Sequence, residues 1–568
     1  MKHAHIILMG TASFAILAAC SSQKEVQQKP PTEILEQSAD AEAGPPAPPP
    51  PPHRVSGLMH SKRTSAEMAM ASPAPMPTHL PQVDRDRYED VDVNPVKLTS
   101  EDPVSTFSID VDTASYSNVR SFLNDGNLPP KGSVRLEELI NYFDYEYLLP
   151  ESKEVPFSTQ VNIVPSPWAD GKQLMHVGIK GYDIDRTEQP PLNLTLLVDV
   201  SGSMNHEDKL PLAKKALKLL IDKMDDDDHI SLVVYAGAAG TVLEPTKGSE
   251  KAKIYAALDN LAAGGSTAGG EGLRLAYSLA EQNYNKDGVN RVMLLTDGDF
   301  NVGVTSDERL EDFVSRKRDS GVYLSVLGFG RGNYNDAMMQ KIAQAGNGMA
   351  SYIDTLNEAR KVLNDDLSGS MFTIANDVKI QMEFNPAHIH EYRLIGYETR
   401  MLNREDFNND KVDAGDIGAG HTVTAIYEVT PVGSKAALID GTRYGDDTKT
   451  TKHSDEMGYL KLRYKTPGSD TSKLIDMPII AKSMSSSLEE APAYVRFATA
   501  VAGFGQLLRQ DPYLLNGFDY DSVISLANGA KQADEFGYRA EFVQLARAAK
   551  TAAAQETLNT GHKGGDTH

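Results

Sequence analysis

A carboxylate and two hydroxyls stand close together at the end of a strongly apolar segment. Asp199, Ser201 and Ser203 are spaced two residues apart and directly follow the apolar run 194–198. Such a run predicts a buried strand, so the three side chains leave its carboxyl end on one tight turn. Clustered oxygen ligands suit a hard divalent cation such as Mg²⁺. Because ligands of open α/β sheets bind at this strand end, the turn is a candidate metal site.

Two later loops carry side chains that could converge on the same cation. Thr267 lies in the glycine-rich segment 264–270 just before a predicted helix, and Asp297 ends another predicted strand. Two carboxylates and three hydroxyls do not fill an octahedral coordination shell. Mg²⁺ normally keeps waters or open positions, so an acidic group from a partner could complete the coordination.

The region around these loops alternates between strand and helix patterns. The predicted strands are 192–198, 230–236, 292–296, 322–328 and 349–353. The predicted helices are 209–224, 251–261, 270–282, 307–320, 336–345 and 356–367. This alternation favours an α/β fold with a doubly wound, mostly parallel sheet.

These residues closely resemble the von Willebrand factor type A (VWA) family. Asp199, Ser201 and Ser203 match the family's D-x-S-x-S element, Thr267 matches its second-loop threonine, and Asp297 matches the aspartate of its T-D-G turn. The resemblance implies a Rossmann-like sheet carrying a metal-ion-dependent adhesion site. It further implies that these five residues hold a divalent cation, usually Mg²⁺, directly or through water, and that an acidic residue of a partner protein binds to the ion.

The segments on either side predict two further domains. A small α+β domain is predicted over 96–190, the VWA domain over 191–370, a β-plus-helical domain over 371–560, and a disordered tail over 561–568. The segment 107–116 resembles a family of Gram-negative lipoproteins. These have a short family-specific domain before the VWA domain and an uncharacterised domain after it.

The N-terminus reads as an export signal followed by a tether. Residues 1–19 have a short apolar run that is typical of a signal peptide, and they end directly before Cys20 in a sequence that resembles the bacterial lipobox. The resemblance implies that Cys20 is lipidated, and Ser21 after it points to the outer membrane, facing the periplasm. The alternative is an ordinary signal peptide with a chance cysteine. Residues 20–95 are rich in proline and predict a disordered tether.

The net charge and the sequence motifs restrict the classes of function that this chain could have. A net charge of −23 disfavours nucleic acid as a partner. No G-x-S-x-G element surrounds Ser201 or Ser203, and no catalytic residue is assigned. We therefore expect a non-enzymatic, lipid-anchored envelope protein that binds a partner protein through its metal site. Two alternatives stay open. One is a scaffold with a structural metal. The other is a subunit of an enzyme assembly, for which the nearest catalytic candidates are His388, His390, Glu391 and Glu398.

Overall fold

The computed structural model describes residue 88 and the ranges 92–265, 269–298, 307–331, 335–440 and 453–563. In chain order, the strands of these residues are β1 (Lys97–Leu98), β2 (Val104–Ser108), β3 (Phe157–Pro165), β4 (Gln173–Gly181), β5 (Leu192–Asp199), β6 (His229–Tyr235), β7 (Ala239–Lys247), β8 (Val289–Thr296), β9 (Val322–Phe329), β10 (Ala350–Ile353), β11 (Thr373–Phe384), β12 (Ile389–Ile395), β13 (Gly415–Gly418), β14 (Thr422–Pro431), β15 (Glu456–Lys465) and β16 (Ser472–Ile480).

The helices are distributed along the whole described chain. They are α1 (Ala114–Asn124), α2 (Leu136–Asn141), α3 (Leu210–Lys223), α4 (Lys251–Asp259), α5 (Gly269–Gln282), α6 (Asp307–Asp319), α7 (Asp336–Ala345), α8 (Leu356–Arg360), α9 (Leu367–Met371), α10 (Ala493–Arg509), α11 (Tyr520–Asn528) and α12 (Tyr538–Lys563). Among the described residues, none of these helices is long and apolar enough to cross a bilayer.

A six-stranded sheet forms the central part of the molecule. Its strand order is β10-β9-β8-β5-β6-β7, and every pair is parallel except β6 with β7. Side chains of β5 alternate between the two faces: Leu194 and Leu196 pack into one buried cluster, and Leu197 packs into another. Helix α3 contributes to the first cluster and α5 to the second. The predicted doubly wound α/β sheet is therefore confirmed.

The elements next to the candidate site follow from their local sequences. All eight residues of β5 are buried, as expected for a central strand covered by helices on both faces. Helix α3 has Pro211 in its first turn, where the missing N–H costs no hydrogen bond. Leu212, Ala216 and Leu220 form its buried stripe, which fixes the helix against the sheet.

The segments before and after this sheet are joined through shared strand pairing. One antiparallel sheet has the order β1-β12-β14-β4-β3, so the two C-terminal strands lie between β1 on one side and β4 and β3 on the other. A second sheet has the order β13-β11-β15-β16, and β2 pairs with β11. The boundaries predicted for the two flanking domains stay predictions, but their strands lie in common sheets and enclose the VWA segment in sequence.

A helical layer packs against these shared sheets. Helices α1 and α2 contribute buried side chains to the same cluster as α10, α11 and α12. Trp168 belongs to this cluster and is fully buried, and its indole N–H donates to Glu428 at 2.6 Å. The N-terminal and C-terminal segments therefore also share one hydrophobic core.

Some elements differ from the periodicity-based predictions. Two edge strands, β7 and β16, were not predicted because their exposed positions weaken the apolar pattern. The predicted helix 356–367 is instead α8, a π-helical turn over Lys361–Asp365 and α9. Residues 107–112 alternate between apolar and polar, a pattern that predicts a strand, but β2 ends at Ser108, and Asp110 accepts the backbone N–H of Asp112 at 3.0 Å.

Candidate metal centre

The first loop of the predicted site is a tight turn at the carboxyl end of β5. Asp199 ends the strand, and its Oδ1 accepts the backbone N–H of Ser201 at 2.8 Å. The chain then forms a 3₁₀ turn over Gly202–Asn205. This geometry places the hydroxyl oxygens of Ser201 and Ser203 3.0 Å apart. The structure therefore brings together all three predicted ligands of this loop.

Asp297 reaches the same edge of the sheet from the neighbouring strand. Strands β5 and β8 are parallel and in register, with Val198 paired to Leu295, so the residues that follow them lie side by side. The Asp297 side chain has no solvent exposure. Gly298, with a φ of +95°, turns the chain directly afterwards, and its N–H donates to the Thr296 hydroxyl at 3.2 Å. The predicted convergence of the first and third loops is thus present.

The second loop is described only on either side of its threonine. Thr267 lies outside the described residues, which resume at Gly269. Before the gap, Gly264 donates its N–H to Val200 O at 2.7 Å, and Gly265 O accepts from Gly202 at 3.1 Å. These two backbone hydrogen bonds hold the second loop directly against the first.

A close contact between helix and sheet positions the other end of the second loop. A Cβ on Gly272 would lie 2.8 Å from the Tyr235 Cβ and 3.1 Å from Leu197 Cδ1. Only glycine therefore allows α5 to approach β5 and β6 this closely. The start of α5, and with it the end of the loop that contains Thr267, is anchored to the sheet beside the first loop.

Asp199 is a buried carboxylate that lacks a counter-ion. It has no cationic partner among the described residues, and its buried Oδ2 has no hydrogen-bond partner there in good geometry. Burial raises the pKa of the Asp199 carboxyl to about 6, hydrogen bonds from Ser201 lower it, and the nearby Asp297 raises it. The Tyr235 hydroxyl also faces this carboxyl. An anionic oxygen that is buried without a cation is strongly disfavoured, so these residues fit a bound divalent ion.

Lys209 is a site residue that the sequence analysis missed. Its Nζ donates to Asp297 Oδ2 at 2.9 Å, and both side chains are buried. A lysine directly before an amphipathic helix usually lies on the surface, so its position gave no local signal. The contact depends on β8, which is distant in sequence.

The alternative catalytic residues do not converge. His388 Nε2 lies 2.7 Å from Ser454 O, and His390 Nε2 lies 2.9 Å from Ile439 O. Glu391 is buried and accepts backbone N–H groups of the 438–439 segment, while Glu398 pairs with Arg509 at 2.9 Å. Each of these side chains has a separate structural partner. Within the described ranges, no group of three or more His, Cys, Asp or Glu side chains is arranged to hold a metal.

Family comparisons match three segments of the chain. The model "von Willebrand factor type A domain" matches residues 193–365, "von Willebrand factor" matches 82–176, and "Uncharacterized protein YfbK, C-terminal" matches 369–552. The sheet, its carboxyl-end loops and these matches together define a VWA-domain protein, which confirms the resemblance stated from the sequence.

One relative extends the match over most of the chain. The chain is 45% identical over 499 residues to "Uncharacterized protein YfbK" of Escherichia coli (strain K12), covering 86% of this chain and 85% of that protein. The chain therefore belongs to the YfbK family.

More distant similarities cover shorter parts. Inter-alpha-trypsin inhibitor heavy chain H3 of Homo sapiens is 26% identical over 258 residues, which is 42% of this chain and 28% of that protein. The crystal structure of a von Willebrand factor type A protein from Catenulispora acidiphila shares 16% identity. It covers 66% of this chain and 87% of that chain with a TM-score of 0.37.

Proposed function

We propose that this protein binds a partner protein through a divalent cation held at the carboxyl end of its VWA sheet. Asp199, Ser201, Ser203, Thr267 and Asp297 are the proposed ligands, and Mg²⁺ is the proposed ion because all the donors are oxygen atoms. The observation that carries the proposal is the buried Asp199 carboxylate, which lacks a cationic partner among the described residues and lies beside two clustered hydroxyls.

The chemistry of the proposed site favours an acidic partner. Sparse oxygen ligation by the protein leaves coordination positions for water or for a carboxylate from another chain. A bound divalent ion supplies the positive charge that attracts such a carboxylate. Asp199 and Asp297 are both fully buried, so these side chains would hold the ion from the side that faces the protein interior.

The proposed location is the cell envelope. Cys20 is the proposed lipidation site, and residues 20–95 are the proposed tether between the membrane and the folded region. The lipobox-like sequence before Cys20 supports this anchor, and Ser21 supports the outer membrane. The proposed orientation is towards the periplasm. Mass spectrometry of the N-terminal peptide would test the modification. An unmodified Cys20 thiol in purified membranes would contradict it.

Affinity capture tests partner binding. The full chain, solubilised in mild detergent, would be incubated with envelope extract in Mg²⁺ or in EDTA, alongside Asp199→Ala. Asp287→Ala is the matched control, because Asp287 is exposed and precedes β8 at the opposite edge of the sheet. A protein retained in Mg²⁺ by the unmodified chain and by Asp287→Ala, but lost in EDTA and with Asp199→Ala, supports the proposal. Identical capture in all conditions contradicts it.

A structural metal is the second candidate function for the same site. The uncompensated charge of Asp199 favours it, since an ion there would also stabilise the fold without any partner. Thermal unfolding separates the two candidates. Mg²⁺-dependent stability combined with Mg²⁺-independent capture would favour the structural role.

A further inference from the structure

A lysine ammonium lies directly on one carboxylate of the proposed metal site. Lys209 Nζ is 2.9 Å from Asp297 Oδ2, and the side chains are 5% and 0% exposed. The other carboxylate, Asp199, has no such cation among the described residues. The two acidic residues of the site therefore differ in charge compensation before any metal binds.

The position of the ammonium is built into the fold. Lys209 directly precedes α3, where its carbonyl accepts the N–H of Ala213 at 2.8 Å. Its aliphatic stem crosses the backbone of Gly330, which follows β9 with a φ of +69°. A Cβ on Gly330 would come within 2.4 Å of Lys209 Cγ and Cε. Because Gly330 has no side chain, the turn leaves space for the lysine stem, which passes over it to reach Asp297.

We propose that Lys209 is an internal counter-ion that competes with the divalent metal for Asp297 and sets the charge of the loaded site. This inference rests on the metal site proposed above. Without metal, the ammonium neutralises Asp297 and stabilises the empty fold. With metal, the two carboxylates would balance the charge of the ion, and the Lys209 ammonium would add one net positive charge to the site.

Two consequences follow from this charge arrangement. Repulsion between the ammonium and the divalent ion lowers metal affinity, because both charges lie in a poorly solvated region where Coulomb interactions are strong. The remaining positive charge favours an anionic sixth ligand over water or a neutral group. Lys209 therefore makes the site a weaker metal binder and a better receptor for a carboxylate of a partner.

Metal titration of the full chain tests the competition. In Lys209→Gln, an amide can still donate to Asp297 but the charge is gone, so we expect Mg²⁺ to bind about tenfold more tightly by isothermal titration calorimetry. Lys209→Arg keeps the charge and should bind close to the unmodified affinity. Lys218→Gln is the matched control, since Lys218 lies on the same helix in an exposed pair with Asp259.

A second variant, Lys209→Met, tests the proposal even if Lys209→Gln folds poorly. Lys209→Met keeps the stem against Gly330 but removes the ammonium that pairs with the buried Asp297 carboxylate. We expect its melting temperature to fall by about 5–15 °C without metal, and Mg²⁺ to raise it by more than it raises that of the unmodified chain.

The outcomes distinguish this inference from the proposed function. Equal Mg²⁺ affinity in Lys209→Gln and the unmodified chain, or equal Mg²⁺-induced stabilisation of Lys209→Met, would overturn the role of Lys209. If the unmodified chain and all variants fail to bind Mg²⁺, the metal site itself is wrong.

Discussion

Two clusters of buried charge in this protein differ in how their carboxylates are paired with cations. Arg120, with a side chain only 1% exposed, uses all three guanidinium nitrogens. It pairs with Asp354, with Glu358 at 2.7 Å and with Glu541 at 3.1 Å. At the proposed metal centre, only Asp297 has a cationic partner, and Asp199 has none among the described residues.

This difference suggests different roles. The cluster around Arg120 is structural, whereas the proposed metal centre can still bind a cation. Arg120 lies on α1, while its partners lie between β10 and α8, on α8, and on α12. The cluster therefore ties the VWA segment to both flanking segments. Glu358 Oε1 has no hydrogen-bond partner among the described residues, but its Oε2 accepts from Arg120, so this carboxylate contacts a cation directly. Among the described residues, Asp199 receives hydrogen bonds from neutral groups and contacts no cation, which leaves a charge for a ligand to satisfy.

Removing the cation of the structural cluster should have the largest effect. Arg120→Ala leaves Asp354 and Glu358 buried without their counter-ion, so we expect a loss of about 3–5 kcal/mol in the free energy of unfolding. Urea unfolding with and without Mg²⁺ measures it, and the loss should be the same in both conditions. Lys153→Ala, which removes an exposed pair with Glu188, is the control and should leave stability unchanged. Rescue of Arg120→Ala by Mg²⁺ would contradict the distinction between the clusters.

Acid should weaken a third region that belongs to neither cluster. His421 is half-buried against Gly369, and desolvation of its ring lowers its pKa to about 4 from an ordinary value near 6.5. The folded state therefore keeps His421 neutral while the unfolded state gains a proton, so its stabilising contribution is lost as pH falls from 6.5 towards 4.

We expect His421 to account for about 2 kcal/mol of the stability lost between pH 7.5 and pH 5. Urea unfolding at both values should show a smaller loss in His421→Gln than in the unmodified chain. His176 has a similarly lowered pKa and is unchanged in both proteins, so the difference isolates His421. Equal losses of stability in the two proteins would show that residues other than His421 cause the acid sensitivity.

Removing the charge of the uncompensated carboxylate should have the smallest effect on the metal-free fold. Asp199→Asn keeps the oxygen that accepts the Ser201 N–H, so we expect stability to stay the same or rise by up to about 1 kcal/mol. The Mg²⁺-induced rise in melting temperature should disappear. Differential scanning calorimetry, with Asp287→Asn as control, measures both effects. A large loss of metal-free stability would show that Asp199 is a structural residue like those around Arg120.

The central sheet and the first loop of the site could be predicted from local sequence patterns alone. Helix α7 has the predicted bounds, Asp336–Ala345, because local apolar periodicity specifies amphipathic helices. Asp199, Ser201 and Ser203 could be placed on one turn because they directly follow the mainly apolar run 194–198. Local pattern failed at β7 and β16, where an edge strand exposes much of its surface and the apolar signal is weak.

Which distant charged residues contact one another depends on the tertiary structure. Lys209 and Asp297 are 88 residues apart, and their contact depends on the parallel order of β5, β8 and β9 and on the space above Gly330. Arg120 meets Glu541 across 421 residues because the N-terminal and C-terminal segments share sheets and one hydrophobic core. Periodicity reports which face of an element is buried, but charge pairing depends on which elements are neighbours, and that is fixed by packing of the whole chain.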